Sequence, residues 1–246
     1  MVVMAEHPPT APNEQTINHE HPNVSGGWLR PAVFGAMDGL VSNFALIAGV
    51  VGGTQGGHSD TVVLAGLAGL AAGAFSMAAG EYTSVASQAE YAAKEIEVER
   101  LEILAQPHVE QAELAQMYVD RGIERDLADK VAAQVHLDPQ LAVQVHAREE
   151  LGVDLEHLPS PVVAAASSFI AFAIGAALPV LPYVLGAETL WPALVMSLAA
   201  LFACGAIVSA VTTRTWWYGG VRQMLLGGMA AGLTFFIGDL VGSSLG

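Results

Sequence analysis

The chain of 246 residues contains one cysteine, nine lysines and arginines, and charged residues at only 13% of positions. A lone Cys204 can close no intrachain disulfide, and it offers no thiolate cluster to favour Cu(I). Nine basic residues against 24 acidic ones leave a formal net charge of −15, which removes nucleic acid from the expected partners. With 53% hydrophobic residues and a mean hydropathy of +0.47, the composition is too apolar for an ordinary soluble domain. The opening stretch lacks the basic start and apolar run of a secretory signal, and reads instead as a polar, disordered tail over residues 1–27. Its histidines His7, His19 and His21 are weak candidates for metal collection.

What the chain has in quantity is apolar length. Five windows reach the roughly 20 residues that a spanning helix needs: Pro31 to Gly53, Thr61 to Tyr82, Pro161 to Leu185, Leu190 to Val211 and Tyr218 to Gly242. None shows the polar face that an outer helix of a soluble bundle would carry. Every basic residue falls on one side of these spans. Arg30 precedes the first, six lie between the second and third, and Arg214 and Arg222 flank the link between the fourth and fifth. Retention of Lys and Arg on the cytoplasmic side places the amino terminus and the 90–158 insert in the cytosol and the carboxyl terminus outside.

No proline stands between Thr61 and Ala105, and no glycine between Gly80 and Gly122, so the second span is expected to continue into SQAEYAAKEIEVERLEILA as one helix. Pro107 ends it, and three shorter helices follow: one closed by Gly122, one over residues 124–136, and one capped by Asp138 with Pro139 in its first turn. Pro159 and Pro161 mark the return to the bilayer, and Pro179 and Pro182 are expected to break or bend the third span. The fold class is therefore an all-α membrane protein. It has five transmembrane helices, with a small cytoplasmic helical metal-binding domain inserted between helices 2 and 3. The divisions are the tail at 1–27, two spans in 28–89, the insert at 90–158, and three spans in 159–246.

The insert holds sixteen of the 24 carboxylates. Glu95, Glu99 and Glu102 recur at four and three residues and so share one helical stripe; Glu110 and Glu113 pair on the next helix, and His146, Glu149 and Glu150 cluster on the last. Carboxylates with an imidazole suit Fe(II), Mn(II) or Zn(II). A solvated acidic face, offset by Lys94, Arg100 and Arg148, accounts for the same spacing. Within the spans, ionisable residues are costly and mark functional positions. Asp38 leads these, flanked by Gly35 and Gly39, which admit a neighbouring helix. Met77 and Glu81 lie one turn apart on the second span, where packing and snorkelling are the simpler fates of a methionine and a glutamate.

MDGLVSNFALIAGVVGG in the first span, AGAFSMAAGEYTSVASQ in the second, and the acidic insert before ALPVLPY resemble the vacuolar iron transporter family, related to the yeast Ca(2+)-sensitive cross-complementer proteins. The likeness covers nearly the whole chain after about Ser25. It implies a homodimer of five-span protomers that exchanges Fe(II), and often Mn(II), for protons, with no prosthetic group, in a bacterial-type inner membrane for this chain. By motif it implies that Asp38 and Met77 line the path, and that Glu99, Glu102, Glu110, Glu113 and Glu150 are cytoplasmic ligands. Two departures stand out. Gly69 occupies a position where some relatives carry glutamate, a loss that Glu81 is expected to offset, and His146 and Ala147 stand where relatives carry methionines. An imidazole at 146 makes the site harder, and its occupancy pH-sensitive, since a protonated ring cannot ligate. The expected function is a non-enzymatic divalent metal exporter. The alternatives are a membrane-bound di-iron ferroxidase, for which the insert supplies no Glu-x-x-His pair, and a metal-gated channel or sensor.

Overall fold

The computed structural model describes residues 27–54, 59–154, 158–210 and 214–245. The expected tail, with His7, His19 and His21, therefore lies outside the described residues apart from Gly27, as does Val211 at the end of the expected fourth span. Among the described residues the regular structure is eight helices, without strands: α1 (Leu29–Gly53), α2 (Ser59–Ala105), α3 (Pro107–Asp120), α4 (Arg125–Val135), α5 (Pro139–Glu150), α6 (Pro161–Val184), α7 (Leu190–Ala210) and α8 (Trp216–Leu245).

Five of these, α1, α2, α6, α7 and α8, are long and apolar enough to cross a membrane. Their outward faces carry large apolar side chains in the open, among them Phe75, Ile174, Val195, Ile207, Leu233 and Phe236. So much exposed apolar surface is tolerable only where the solvent is itself apolar. Helix α1 is the centre of the bundle. Of its apolar window 44% is buried, against 11–28% for the other four, and it packs on α6, α8, α2 and α7. Leu40, Phe44 and Ala48 of α1 form one core with Leu201 of α7 and Ala231 of α8; Ile47 and Val51 form another with Val62, Val180, Tyr183 and Ala193.

The crossing of α1 and α6 depends on the glycines beside Asp38. A Cβ at Gly39 would lie 2.3 Å from the carbonyl oxygen of Phe172, and one at Gly35 would lie 2.7 Å from that of Ser168. Both contacts are with backbone, which cannot swing aside, so only glycine allows this approach.

Helix α2 runs unbroken for 47 residues, roughly 70 Å at 1.5 Å per residue, which exceeds twice the thickness of a bilayer's apolar core. Its last turns, with α3, α4 and α5, form a separate helical cluster around Leu114, Ala115, Ala128 and Ala132. Gly122, at φ +94°, ends α3 as expected, and Asp138 caps α5 by accepting from the Gln140 amide at 2.9 Å. Helix α6 is not broken at its prolines. It passes through both Pro179 and Pro182 as one continuous helix to Val184. Each proline lacks the N–H that would reach the carbonyl four residues back, at Gly175 and Leu178, and in the same stretch the Asn43 side chain donates to the Ala176 carbonyl at 2.6 Å.

Candidate metal centre

Three helices of the cluster converge on one group. Glu99 from α2, Glu110 from α3 and His146 from α5 are buried at 7%, 7% and 0% exposure, and each offers a ligand atom within 4.8 Å of the others. The Nδ1 of His146 lies 2.9 Å from Glu99 Oε1 and 2.7 Å from Glu150 Oε1. One ring nitrogen carries at most one proton, and the hydrogen-bond geometry favours Glu150. Glu99 Oε1 is left buried and without a hydrogen-bond partner. An orphaned, buried carboxylate oxygen is costly, and a cation is what would satisfy it.

Electrostatics point the same way. Burial, and then the like charges of Glu150, Glu110, Glu102 and Glu113, push the Glu99 carboxyl up to about 7. Glu110 is raised by burial and by Glu113, with His146 opposing. Four of the six basic residues of the insert are engaged elsewhere: Arg100 with Glu97, Arg121 with Glu149, Arg125 with Asp129, and Arg148 with Asp154. Hence all six ligands expected from sequence and resemblance, Glu99, Glu102, Glu110, Glu113, His146 and Glu150, fall in one electrostatic group. Glu102 and Glu113 stand at its exposed edge. Glu149 is turned away toward Arg121.

His136 was not among the expected residues. It follows the last turn of α4, and its Nε2 lies 3.1 Å from Nε2 of His146, on the side of the ring opposite the carboxylates. Burial and the neighbouring His146 lower its affinity for a second proton. The only signal in the sequence is its position, just before the Asp138 cap that turns the chain from α4 into α5.

A second site lies in the membrane bundle. Asp38, Ser42 and Asn43 of α1 face Gly69, Gly73, Ser76 and Met77 of α2 across a cavity of about 290 Å³ closed on one side by Phe172. Asn43 donates to the carbonyls of Gly66 at 3.1 Å and Ala176 at 2.6 Å, while its buried Oδ1 has no hydrogen-bond partner. A Cβ at Gly69 would lie 2.8 Å from that oxygen. The structure thus brings Asp38 and Met77 to one cavity, with Gly69 in its wall. Glu81 is not in that wall; it borders a different pocket with Arg30, Val33, Phe34 and Met37.

A family model described as the VIT family matches residues 29–239, which takes in both sites. The chain belongs to the VIT family. It is 31% identical to vacuolar iron transporter 1 of Arabidopsis thaliana over 239 residues, covering 94% of each chain. It is 35% identical to the vacuolar iron transporter of Acanthamoeba castellanii over 230 residues, covering 90% of this chain and 82% of that one. With the Toxoplasma gondii vacuolar iron transporter the identity is 28%, over 93% and 80% of the two chains. These VIT relatives are named as transporters and not as enzymes, in keeping with the non-enzymatic reading of the sequence.

Proposed function

We propose that the protein moves Fe(II), and Mn(II) with it, out of the cytosol in exchange for protons. The observation that carries this reading is the position of both candidate sites on one helix. Met77 and Glu99 are 22 positions apart on α2, roughly 33 Å along its axis. The acidic cluster, in the cytosol by the distribution of basic residues, gathers metal through its negative field and its buried ligands. From there the ion passes to the cavity of Asp38 and Met77, where a hard carboxylate and a soft thioether together suit Fe(II). Protons arriving from the far side neutralise the carboxylates and release the ion.

The names of the relatives support iron as cargo. Mn(II) and Zn(II) share the donor preferences of the cluster. The open strip around Gly232 on α8, where nothing lies within 4 Å, offers a second copy a close approach in a homodimer. The orientation serves equally the bacterial-type inner membrane expected from sequence and the vacuolar membrane for which the relatives are named, since both receive metal from the cytosol. In the Gly69 variant of the path, the acid is supplied by Asp38 alone with Asn43 Oδ1 as a neutral ligand, because Glu81 lies outside that cavity.

The test is transport by purified protein in vesicles, with Fe(II), Mn(II), Zn(II) and Ca(II) compared under an imposed pH gradient. Fe(II) and Mn(II) are expected to move and Ca(II) to be excluded. Asp38→Ala is expected to abolish metal-driven proton movement, whereas changing Glu102 and Glu113 to Gln weakens apparent affinity. Undiminished transport by the Asp38 variant would remove the cavity from the path.

A further inference from the structure

We propose that His136 is a positioning residue for metal: it holds His146 in the tautomer and orientation that aim Nδ1 at the carboxylates. This rests on the metal-collecting reading of the cluster. The geometry leaves little choice. Of the two nitrogens of His146, Nδ1 is the one 2.9 Å from Glu99 and 2.7 Å from Glu150, so it is the atom that would meet a cation shared with them. Without metal Nδ1 shares its proton with Glu150; a ligating nitrogen carries no proton, so with metal bound the ring's single proton stands on Nε2. The Nε2–H must then find an acceptor, and the group 3.1 Å away is Nε2 of His136. His146 is fully buried, so no solvent can replace that acceptor. The two rings meet edge to face, 5.2 Å between centroids at 81°, an arrangement that directs one ring's edge nitrogen toward its neighbour.

The consequence is mechanical as well as electronic. His136 follows α4, which contributes no carboxylate to the group, so the imidazole pair adds a polar link from the end of α4 to the metal ligands, beside the apolar packing of α4 on α3. Histidine ligands commonly have such a partner on the second nitrogen, and its loss costs about 10–100-fold in metal affinity. Nothing in the expected ligand set anticipates it. The methionines that the resemblance places at 146 and 147 in relatives would have no proton to donate to a partner at 136.

The experiment titrates full-length protein in detergent with Co(II), followed by its ligand-field absorption, with Glu99→Gln defining the share of the signal that belongs to this site. His136→Phe keeps the bulk and removes the acceptor; it is expected to weaken the Glu99-dependent binding by about 10–100-fold. His136→Gln, whose Oε1 can accept from Nε2–H, is expected to restore most of that affinity. In a His146→Ala background, His136→Phe is expected to add nothing. Wild-type affinity in His136→Phe would overturn the proposal; so would equal losses in the Phe and Gln variants, which would show a packing role, or additive losses with His146→Ala. Absence of any Glu99-dependent Co(II) binding in the wild-type protein would instead refute the metal-collecting reading itself.

Discussion

Replacing Glu99 by Gln should stabilise the metal-free protein at pH 8 while it destroys the metal site. Glu99 is 7% exposed, and its carboxyl is pushed from 4.5 up to about 7 by burial and by four neighbouring carboxylates. A carboxyl whose folded pKa lies above its unfolded value binds its proton more tightly in the folded state. Its favourable contribution is therefore full below about pH 4.5 and is lost as pH rises through about 7. At about 1.36 kcal/mol per pKa unit, the full span is on the order of 3 kcal/mol. That penalty is one a bound divalent cation would remove. The assay is hydrogen exchange of the α5 amides, residues 139–150, in the full chain with chelator present, corrected for the intrinsic exchange rate. Wild-type protection should fall by about 100-fold between pH 5 and 8, and added Fe(II) or Mn(II) should restore it. Glu99→Gln should show a much smaller fall in protection over that range and no response to metal. If Glu99→Gln is less protected than wild type at pH 8 without metal, the carboxylate is not held against repulsion and the reasoning fails.

Three further outcomes follow from the packing. Gly39→Val drives a side chain into the Phe172 carbonyl, 2.3 Å from the Cβ position, and should cost at least about 1–3 kcal/mol as a lowered thermal midpoint in detergent. Leu114→Ala removes a fully buried side chain from the core of the helical cluster, and should lower the stability of α3 and α4 by about 2–5 kcal/mol, read as faster exchange there with the membrane helices unaffected. Gly73→Leu places a side chain on the Phe172 ring, 2.2 Å from the Cβ position, and should slow metal flux by filling the cavity while leaving Co(II) binding at Glu99 unchanged.

Much of the architecture was legible because the relevant physics is local. The length of the apolar windows, the want of proline from Thr61 to Ala105, and the Gly122 and Asp138 signals each act within a few residues, and the helices fall where those signals put them. The carboxylate stripes were legible as faces of single helices. Which members of a stripe are buried depends on how α2, α3 and α5 rotate against one another, and no single-helix periodicity contains that. Thus Glu99 and Glu110 are enclosed while Glu102 and Glu113, one turn away, remain at the edge. The pairing of Glu149 with Arg121 spans 28 positions, and the approach of His136 to His146 depends on the turn between α4 and α5. Pro179 and Pro182 do not break α6 for a related reason: the helix is held by its packing along α1 and α2, and no local proline rule contains that.

Coupled export is best tested with no metal gradient at all. Vesicles holding the protein with its acidic cluster outward are loaded with Fe(II) at the same concentration inside and out, and the lumen alone is then made acidic. Net accumulation of Fe(II) in the lumen is expected, with alkalinisation of the lumen as it proceeds and loss of both in Asp38→Ala. A lumen that gains no Fe(II) under that proton gradient, while Fe(II) still equilibrates down a metal gradient, would contradict coupling and leave a channel in its place.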